Sequence, residues 1–302
     1  TACLLLHAVA ASLQDAAIDA LAISTTQQTE RGSLNGWMQT GYLAGRSVFG
    51  GTLLVLSASF GGNAIVVPHI VTIWCVASLL LFLTKLPPRT GTHEPAGARF
   101  LRYRADLLRV ARDGRVWSAF AFALSAGAAF EGVGAVAGPY LLDRGLSQAG
   151  VGWFFSIPAV AGMVCGSLAG GYLADRAGTL RIVGSSLLGI AVVVLSLAAM
   201  ESAAEPPTPH WTVAMISLLY LGIGVFVASS YAMFMNLTDA RLGATQFSAF
   251  MGATNACESW SGYAAGGMVG VSGYGTAFAA LAGISLLGLP ALFRLHRSRR
   301  PV

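Results

Sequence analysis

The chain has 302 residues, of which 55% are hydrophobic and only 10% are charged, and its formal net charge is +5. Soluble domains average about 25% charged residues, so this chain has too little polar surface to cover a soluble fold. Its basic residues stand mainly in short connections between long apolar blocks. That distribution is typical of membrane topology, so no nucleic-acid site is predicted.

Apolar blocks long enough to cross a bilayer, which takes about 20 residues, recur along the chain. They lack the period-2 alternation of barrel strands, so each is predicted to be a spanning helix. The run Ser272-Gly273-Tyr274-Gly275 is predicted to break the last two apart. Nine spans result, over residues 2–24, 33–58, 65–85, 114–140, 147–174, 179–200, 210–235, 243–271 and 273–294.

The arginines give these spans an orientation. Seven of them lie between residues 86 and 115, and others lie in the tail and in the turns at 175–181 and 236–242. The connections on the opposite side hold a single arginine, Arg144. Because basic connections stay in the cytoplasm, the C-terminus is predicted to be cytoplasmic and the first helix to run inward.

One linker, residues 86–113, separates three predicted spans from six. Its second half, 99–112, is predicted to form a basic amphipathic helix on the membrane surface. A six-plus-six protein that lacks its first three helices would have this asymmetry, and Thr1 already lies in an apolar run. We therefore expect 1–85 to be the second half of an N-terminal bundle and 114–302 a C-terminal six-helix bundle.

Ionisable side chains inside spanning helices are costly and mark function by default. Two of them lie one turn apart on the first span, beside Ser12. Others lie in the second, fourth and eighth spans, the last on a polar stripe with an asparagine. The candidate residues are Asp15, Asp19, Arg46, Glu131, Asn255 and Glu258.

The pair Asp15 and Asp19 is the strongest candidate for chemistry. Two carboxylates one turn apart in a low dielectric repel each other and lose hydration, so at least one is expected to bind a proton near neutral pH. A proton-coupled carrier needs such a group. Arg46 is interpreted as their counter-ion or as a holder of an anionic substrate group. The alternative for each is a structural ion pair that locks two helices together.

Three glycine stripes predict close helix packing through small residues. They are Gly41-x3-Gly45, Gly162-x3-Gly166-x3-Gly170 and Gly266-x3-Gly270. No metal or cofactor site is predicted, because the cysteines and histidines lack ligand spacing and no nucleotide loop or nucleophile elbow occurs.

The stretch from residue 171 to 181, Gly-Tyr-Leu-Ala-Asp-Arg-Ala-Gly-Thr-Leu-Arg, resembles the G-x-L-a-D-r-x-G-r-r motif of major facilitator superfamily transporters. Thr179 and Leu180 stand where basic residues are usual. Asp175 is predicted to cap the following helix and to pair with an arginine. In the family this motif follows the second and eighth helices, and here it follows the fifth predicted span. The motif residues are Gly171, Asp175, Arg176, Gly178 and Arg181.

Two shorter elements resemble the AmpG-like branch of peptide, acetyl-CoA and drug transporters. Gln14-Asp15-Ala-Ala-Ile-Asp19-Ala is similar to its Q-D-x-A-x-D-A element in the fourth helix, and Gly243-Ala-Thr-Gln-Phe247 to its A-T-Q-F element before the eleventh. Arg46 is displaced from the branch's G-Y-R pattern, since Leu43 follows Tyr42.

The resemblance implies an all-α polytopic membrane bundle, the twelve-helix facilitator fold with about nine helices present. It implies a monomeric secondary transporter in a bacterial inner membrane, with a small-molecule substrate, H⁺ and the lipid bilayer as partners, and no enzyme activity. Titration of Asp15 or Asp19 is expected to drive symport by alternating access, of a cell-wall sugar-peptide or another bulky anionic metabolite. The alternatives are a membrane-embedded transferase and a facilitator-fold sensor that does not transport.

Overall fold

The computed structural model describes residues 2–50, 56, 65–84, 96–203 and 208–297, and every regular element in these ranges is a helix. Two of these elements are short turns of other types, the π-helical turn Arg46–Gly50 and the 3-10 turn Ala240–Leu242. In chain order the helices are α1 (Ala2–Thr25), α2 (Arg31–Gly45), α3 (Val66–Leu83), α4 (Ala96–Ala111), α5 (Gly114–Ser125), α6 (Ala128–Asp143), α7 (Gln148–Ser156), α8 (Pro158–Ala177), α9 (Thr179–Glu201), α10 (Pro209–Leu237), α11 (Gly243–Leu286) and α12 (Gly288–Arg297).

Seven helical stretches in the described ranges are long and apolar enough to cross a membrane. The last one contains the predicted break, because Gly273 has φ of 79° and ψ of 172° inside α11, and it therefore covers two predicted spans. The predicted span 33–58 is described only in part. The stretches are Leu5–Thr25, Val66–Leu83, Gly114–Asp143, Gln148–Ala177, Thr179–Glu201, Pro209–Leu237 and Gly243–Arg297.

The chain forms two compact units, one of residues 1–39 with 103–302 and one of residues 40–102. The second unit contains α3, none of whose residues is buried by protein. A helix that faces lipid can have such exposure, because its apolar side chains contact acyl chains. In this unit His69 Nε2 lies 2.8 Å from the carbonyl oxygen of Phe49. The predicted division at the linker stays a prediction, and residues 85–95 lie outside the described residues.

In the first unit, the closest helix pair is α8 with α10. A Cβ added at Gly166 would overlap the carbonyl oxygen of Leu221, and one at Gly170 would lie 2.5 Å from the Cα of Val225. Gly224 meets the backbone of α8 in the same way. Small residues let membrane helices approach to backbone contact, and the predicted stripe on α8 is confirmed.

The stripe Gly266-x3-Gly270 has the opposite environment. In the part of the chain that the structure describes, no atom lies within 4 Å of where a Cβ would stand on either glycine, and the same holds for Gly41 and Gly45. The prediction of close packing is therefore wrong for Gly266 and Gly270 among the described contacts, because small residues permit close packing but do not select a partner. For Gly41 and Gly45 it stays a prediction, since residues 51–55 and 57–64 lie outside the described residues.

Polar side chains tie α6, α9 and the second half of α11 together at one end of the bundle. Arg144 and Glu201 form an ion pair of 2.7 Å, with only 18% and 8% of their side chains exposed. Tyr140 Oη donates to the other oxygen of Glu201 at 2.8 Å, and Tyr274 Oη donates to Asp143 at 2.8 Å. The helices that meet here are thus joined by a partly buried ion pair and by two tyrosine hydrogen bonds.

The linker segment predicted to be amphipathic is helical, as α4. Its Phe100 and Leu101 are exposed, while Asp106 is buried and pairs with Arg109 at 2.9 Å. Asp106 also lies 3.8 Å from Arg241, in the turn between α10 and α11, and the Tyr103 hydroxyl lies 2.8 Å from Thr245 Oγ1. From Tyr103 onward α4 is therefore docked on that turn.

The α8–α10 contact makes a prediction about stability. Gly166→Ala should destabilise the protein by about 1–3 kcal/mol, because the added methyl meets a backbone carbonyl that cannot move alone. The same substitution at Gly189 on α9, which has open space around it, should be neutral or stabilising, since alanine is the better helix former. Thermal unfolding of the detergent-solubilised protein measures both, and equal effects would contradict the packing.

Candidate functional site

A discontinuity in a membrane-crossing segment lies next to Glu131. α5 ends at Ser125 and α6 begins at Ala128, and side chains of α11 bond to the carbonyls at this break. Trp260 Nε1 donates to the oxygen of Leu124 at 3.0 Å, and Ser285 Oγ donates to that of Ala126. Broken helices are tolerated at membrane depth only where protein or a cavity satisfies the backbone, so α11 supports the break.

Glu131 and Glu258 form one pair of intramembrane carboxylates. Glu131 is in the first turn of α6 and is partly buried, with its Cγ 3.4 Å from the position of a Cβ on Gly127, whereas Glu258 on α11 is exposed. Cys257 is buried beside the break, with its Sγ 3.4 Å from the position of a Cβ on Gly127. The fold thus brings together two glutamates that are distant in the sequence.

A small cavity adjoins this pair between α5, α6, α10 and α11. Its volume is about 30 Å³, which is room for about one water molecule. Besides Glu131 it is lined by polar Ser230 and Thr254 and by a group of aromatic rings, namely Phe122, Phe130, Phe226, Tyr231 and Phe234. In this conformation the space beside Glu131 is therefore too small for a metabolite.

The second carboxylate pair is on α1. Asp15 is exposed and Asp19 is half-buried, and the two interact electrostatically, as their spacing predicts. The end of α1 packs against the beginning of α11, where Ile23 lies 3.9 Å from the position of a Cβ on Gly243. In the described part of the chain, no hydrogen bond or ion pair joins these aspartates to Glu131 or Glu258.

Two further candidates have exposed side chains. Asn255 lies three residues before Glu258 on α11, and its carbonyl accepts a hydrogen bond from Ser259 Oγ at 2.9 Å. Arg46 begins the π-helical turn after α2, a geometry that is frequent at functional sites. Its pairing with the α1 aspartates stays a prediction.

At the end of the bundle where α8 finishes, Asp175 contacts the first turn of α2. Its two carboxylate oxygens accept hydrogen bonds from the backbone N–H groups of Gly32 and Ser33, both at 2.7 Å. A Cβ on Gly32 would overlap the carbonyl oxygen of Gly171, and the reverse also holds. Asp175 thus caps α2 across a glycine-to-glycine contact, where a negative charge is favoured by the helix dipole.

Arg31 makes further contacts between the start of α2 and its neighbouring helices. It is 7% exposed, and its guanidinium donates to the carbonyl oxygens of Met235 at 2.7 Å and Ile23 at 3.0 Å and to Asn236 Oδ1 at 3.2 Å. These contacts join the ends of α1 and α10 to the start of α2. The arginine therefore fills the hydrogen-bonding needs of helix ends that would otherwise be unsatisfied.

Comparison with known families decides what kind of protein carries this geometry. The family model described as the Major Facilitator Superfamily matches residues 1–266. The chain belongs to the Major Facilitator Superfamily. It is therefore an integral membrane protein with an all-α polytopic bundle and a secondary transporter.

For this transporter, one prediction about the Asp175 turn is wrong. The following helix, α9, is preceded by Gly178 and has no side-chain cap, and Asp175 makes no ion pair with an arginine among the described residues. The first-turn amides of α2 are nearer to its carboxylate. Arg176 stacks on the ring of Tyr172 at 4.8 Å. Gly178 has φ of 95°, which explains the glycine in the motif.

Sequence reasoning missed Arg31 and the Arg144–Glu201 pair. Arg31 precedes the predicted span 33–58, and Arg144 lies in the connection between 114–140 and 147–174. Charge is cheap in such places, so the sequence does not mark either residue as an intramembrane candidate. A useful indication would have been that Arg144 alone departs from the positive-inside pattern. For Arg31 the sequence offers no comparable indication, since burial depends on three helices that converge on it.

The contact of Asp175 with α2 can be tested by hydrogen–deuterium exchange. In Asp175→Ala the amides of Gly32 and Ser33 lose their acceptor, and exchange in the first turn of α2 should become about five- to thirtyfold faster, as for loss of a helix cap. Asp143→Ala removes an aspartate that bonds Tyr274 at the other end of the bundle and should leave that turn unchanged. Unchanged exchange in Asp175→Ala would contradict the capping role.

The geometry of Arg31 predicts that lysine cannot replace it. One ammonium cannot reach the carbonyls of Met235 and Ile23 with the planar fork that arginine supplies, so Arg31→Lys should lower the free energy of unfolding by about 1–3 kcal/mol. Arg176→Lys, at an exposed position, is the matched control and should have little effect. Thermal unfolding in detergent compares them, and equal stability of the two variants would refute the role of Arg31.

Proposed function

We propose that this transporter is a proton-coupled symporter in which Asp15 and Asp19 bind the coupling proton. The observation that carries the proposal is the presence of two carboxylate pairs in membrane-crossing helices, one with its members one turn apart on α1 and one where α6 meets α11 beside Gly127. None of the four carboxylates has an ion-pair partner in the described residues. A charged carboxylate without a partner is costly in a membrane, and a bound proton removes that cost.

Glu131 and Glu258 are proposed to act on the C-terminal side of the transport path, with Asn255 as a polar neighbour. The broken helix beside Glu131 supports this assignment, because transporters commonly build their sites from discontinuous helices. Arg46 is proposed to hold an anionic group of the substrate. The cavity next to Glu131 is small, as expected for a conformation in which no substrate is bound there.

We propose that the contacts of Arg31 and Asp175 close one end of the transport path during alternating access. They join α1 and α2 to α8 and α10 through hydrogen bonds with backbone groups, which water can replace when the helices separate. The density of arginines at this end supports a cytoplasmic location for it and for the C-terminus. The described conformation is then closed toward the cytoplasmic side of a bacterial inner membrane.

The proposed substrate class is a bulky anionic metabolite, with a cell-wall sugar-peptide as the first candidate. The support is the resemblance of the elements around Asp15 and Gln246 to the AmpG-like branch. In the structure Gln246 accepts from the N–H of Asp239 at 2.9 Å and donates to the oxygen of Leu237 at 3.2 Å. This element therefore shapes the turn between α10 and α11. We also propose that the helices of this chain correspond to the fourth to twelfth helices of the facilitator fold, because the Asp175 turn would then follow the eighth helix, as in the family. The protein is proposed to be a monomer.

Uptake into proteoliposomes tests the proposal. With an acidic exterior, a radiolabelled muropeptide should accumulate above protein-free liposomes, and a protonophore should abolish the accumulation. Asp15→Asn and Asp19→Asn keep the shape of the side chain but cannot carry the proton, so at least one should reduce driven uptake by about tenfold or more. Asp143→Asn, outside the carboxylate pairs, is the matched control.

Counterflow separates coupling from transport itself. A variant that has lost only proton coupling still exchanges labelled for unlabelled muropeptide across the membrane, whereas an enzyme or a sensor exchanges nothing. The role of the aspartates would be refuted if both asparagine variants took up muropeptide as fast as the wild type across a pH series. Exchange of acetyl-CoA but not of muropeptide would show that the substrate resembles that of the acetyl-CoA transporters of the branch.

A further inference from the structure

An open groove lies between the beginning of α9 and the end of α12, away from the carboxylate pairs. Its volume is 580 Å³, within the range of about 300–1,000 Å³ that is typical of small-molecule sites. Deeper in the bundle the two helices are in contact, since Leu292 lies 3.3 Å from the position of a Cβ on Gly184. The groove therefore opens where the helices diverge toward the membrane surface.

The groove is amphipathic. Its floor is apolar and consists of Leu180, Leu289, Leu292 and Phe293, and its polar side chains are Arg181 and His296. No carboxylate is among its lining residues in the described part of the chain. The guanidinium of Arg297 stacks over the ring of Phe293 at 4.5 Å, which brings another positive charge to the same place.

The depth of the groove in the bilayer follows from its helices. α9 crosses the membrane from Thr179, and α12 is the last part of the stretch Gly243–Arg297. Residues near Thr179 and Arg297 are therefore at one membrane surface, and residues further along α9 or back along α12 are at the depth of the acyl chains. The basic groups are at the level of the headgroups and the apolar floor begins below them.

We propose that this groove is a binding site for an anionic phospholipid. The headgroup phosphate contacts Arg181, His296 and Arg297, and one acyl chain lies along Leu180, Leu289 and Phe293. Charge complementarity selects the anionic class, because basic pockets between membrane helices attract phosphate headgroups at about 1 kcal/mol for each basic side chain. A zwitterionic lipid has the same acyl chains but no net charge for these residues.

Native mass spectrometry of the whole protein, released from a nonionic detergent, tests the site. Phosphatidylglycerol is titrated against phosphatidylcholine with the same acyl chains. Arg181→Gln should weaken phosphatidylglycerol binding about fivefold and leave phosphatidylcholine binding unchanged. The matched control is Arg294→Gln, which removes the same charge from α12 at an exposed position outside the groove and should change neither affinity.

A second variant tests the apolar floor. Leu289→Trp fills the groove without changing the charge and should weaken the binding of both lipids. An excess of inorganic phosphate should not displace phosphatidylglycerol, because a free anion does not use the floor. The proposal is overturned if Arg181→Gln binds phosphatidylglycerol like the wild type, if Arg294→Gln weakens binding equally, or if phosphate competes.

Discussion

In hydrocarbon, each backbone N–H and C=O group must find its partner within the protein, and the irregular points of this chain follow from that requirement. Where α5 stops and α6 starts, Trp260 and Ser285 bond to the exposed carbonyls. At the end of α10, Arg31 does the same for Met235, and at the start of α2 the amides are taken by Asp175. The side chains that allow the helices to break or end are therefore the ones that fix how the helices meet.

The two ends of the bundle meet this requirement with different chemistry. At one end Arg144 and Glu201 form a partly buried ion pair, and the hydroxyl of Tyr140 bonds the same glutamate. At the other end Arg31 and Asp175 make charge-assisted hydrogen bonds to backbone groups and an amide, and bonds of this kind are worth about 1.5–3 kcal/mol each.

The carboxylates in the middle of the bundle are placed by the same framework. Glu131 is in the first turn after the broken segment, and α11, which supports the break, also carries Cys257 and Glu258. Aromatic rings fill the adjoining space down to about 30 Å³. A change in the packing of α11 against α6 would therefore alter both the distance between the two glutamates and the access of water to them.

The sequence by itself determined the all-α membrane class, most of the spans, the break at Gly273 and the facilitator motif around Gly178, because hydropathy and backbone strain act within a few residues. It also located the pair Asp15 and Asp19, since helical spacing alone brings them together. The tertiary structure decided what local chemistry leaves open. Asp175 caps a helix 143 residues away and Arg31 reaches a carbonyl 204 residues away, and equal glycine stripes are packed at Gly166 but open at Gly266. Such choices depend on which helices become neighbours, and spacing along one helix carries no information about its neighbour.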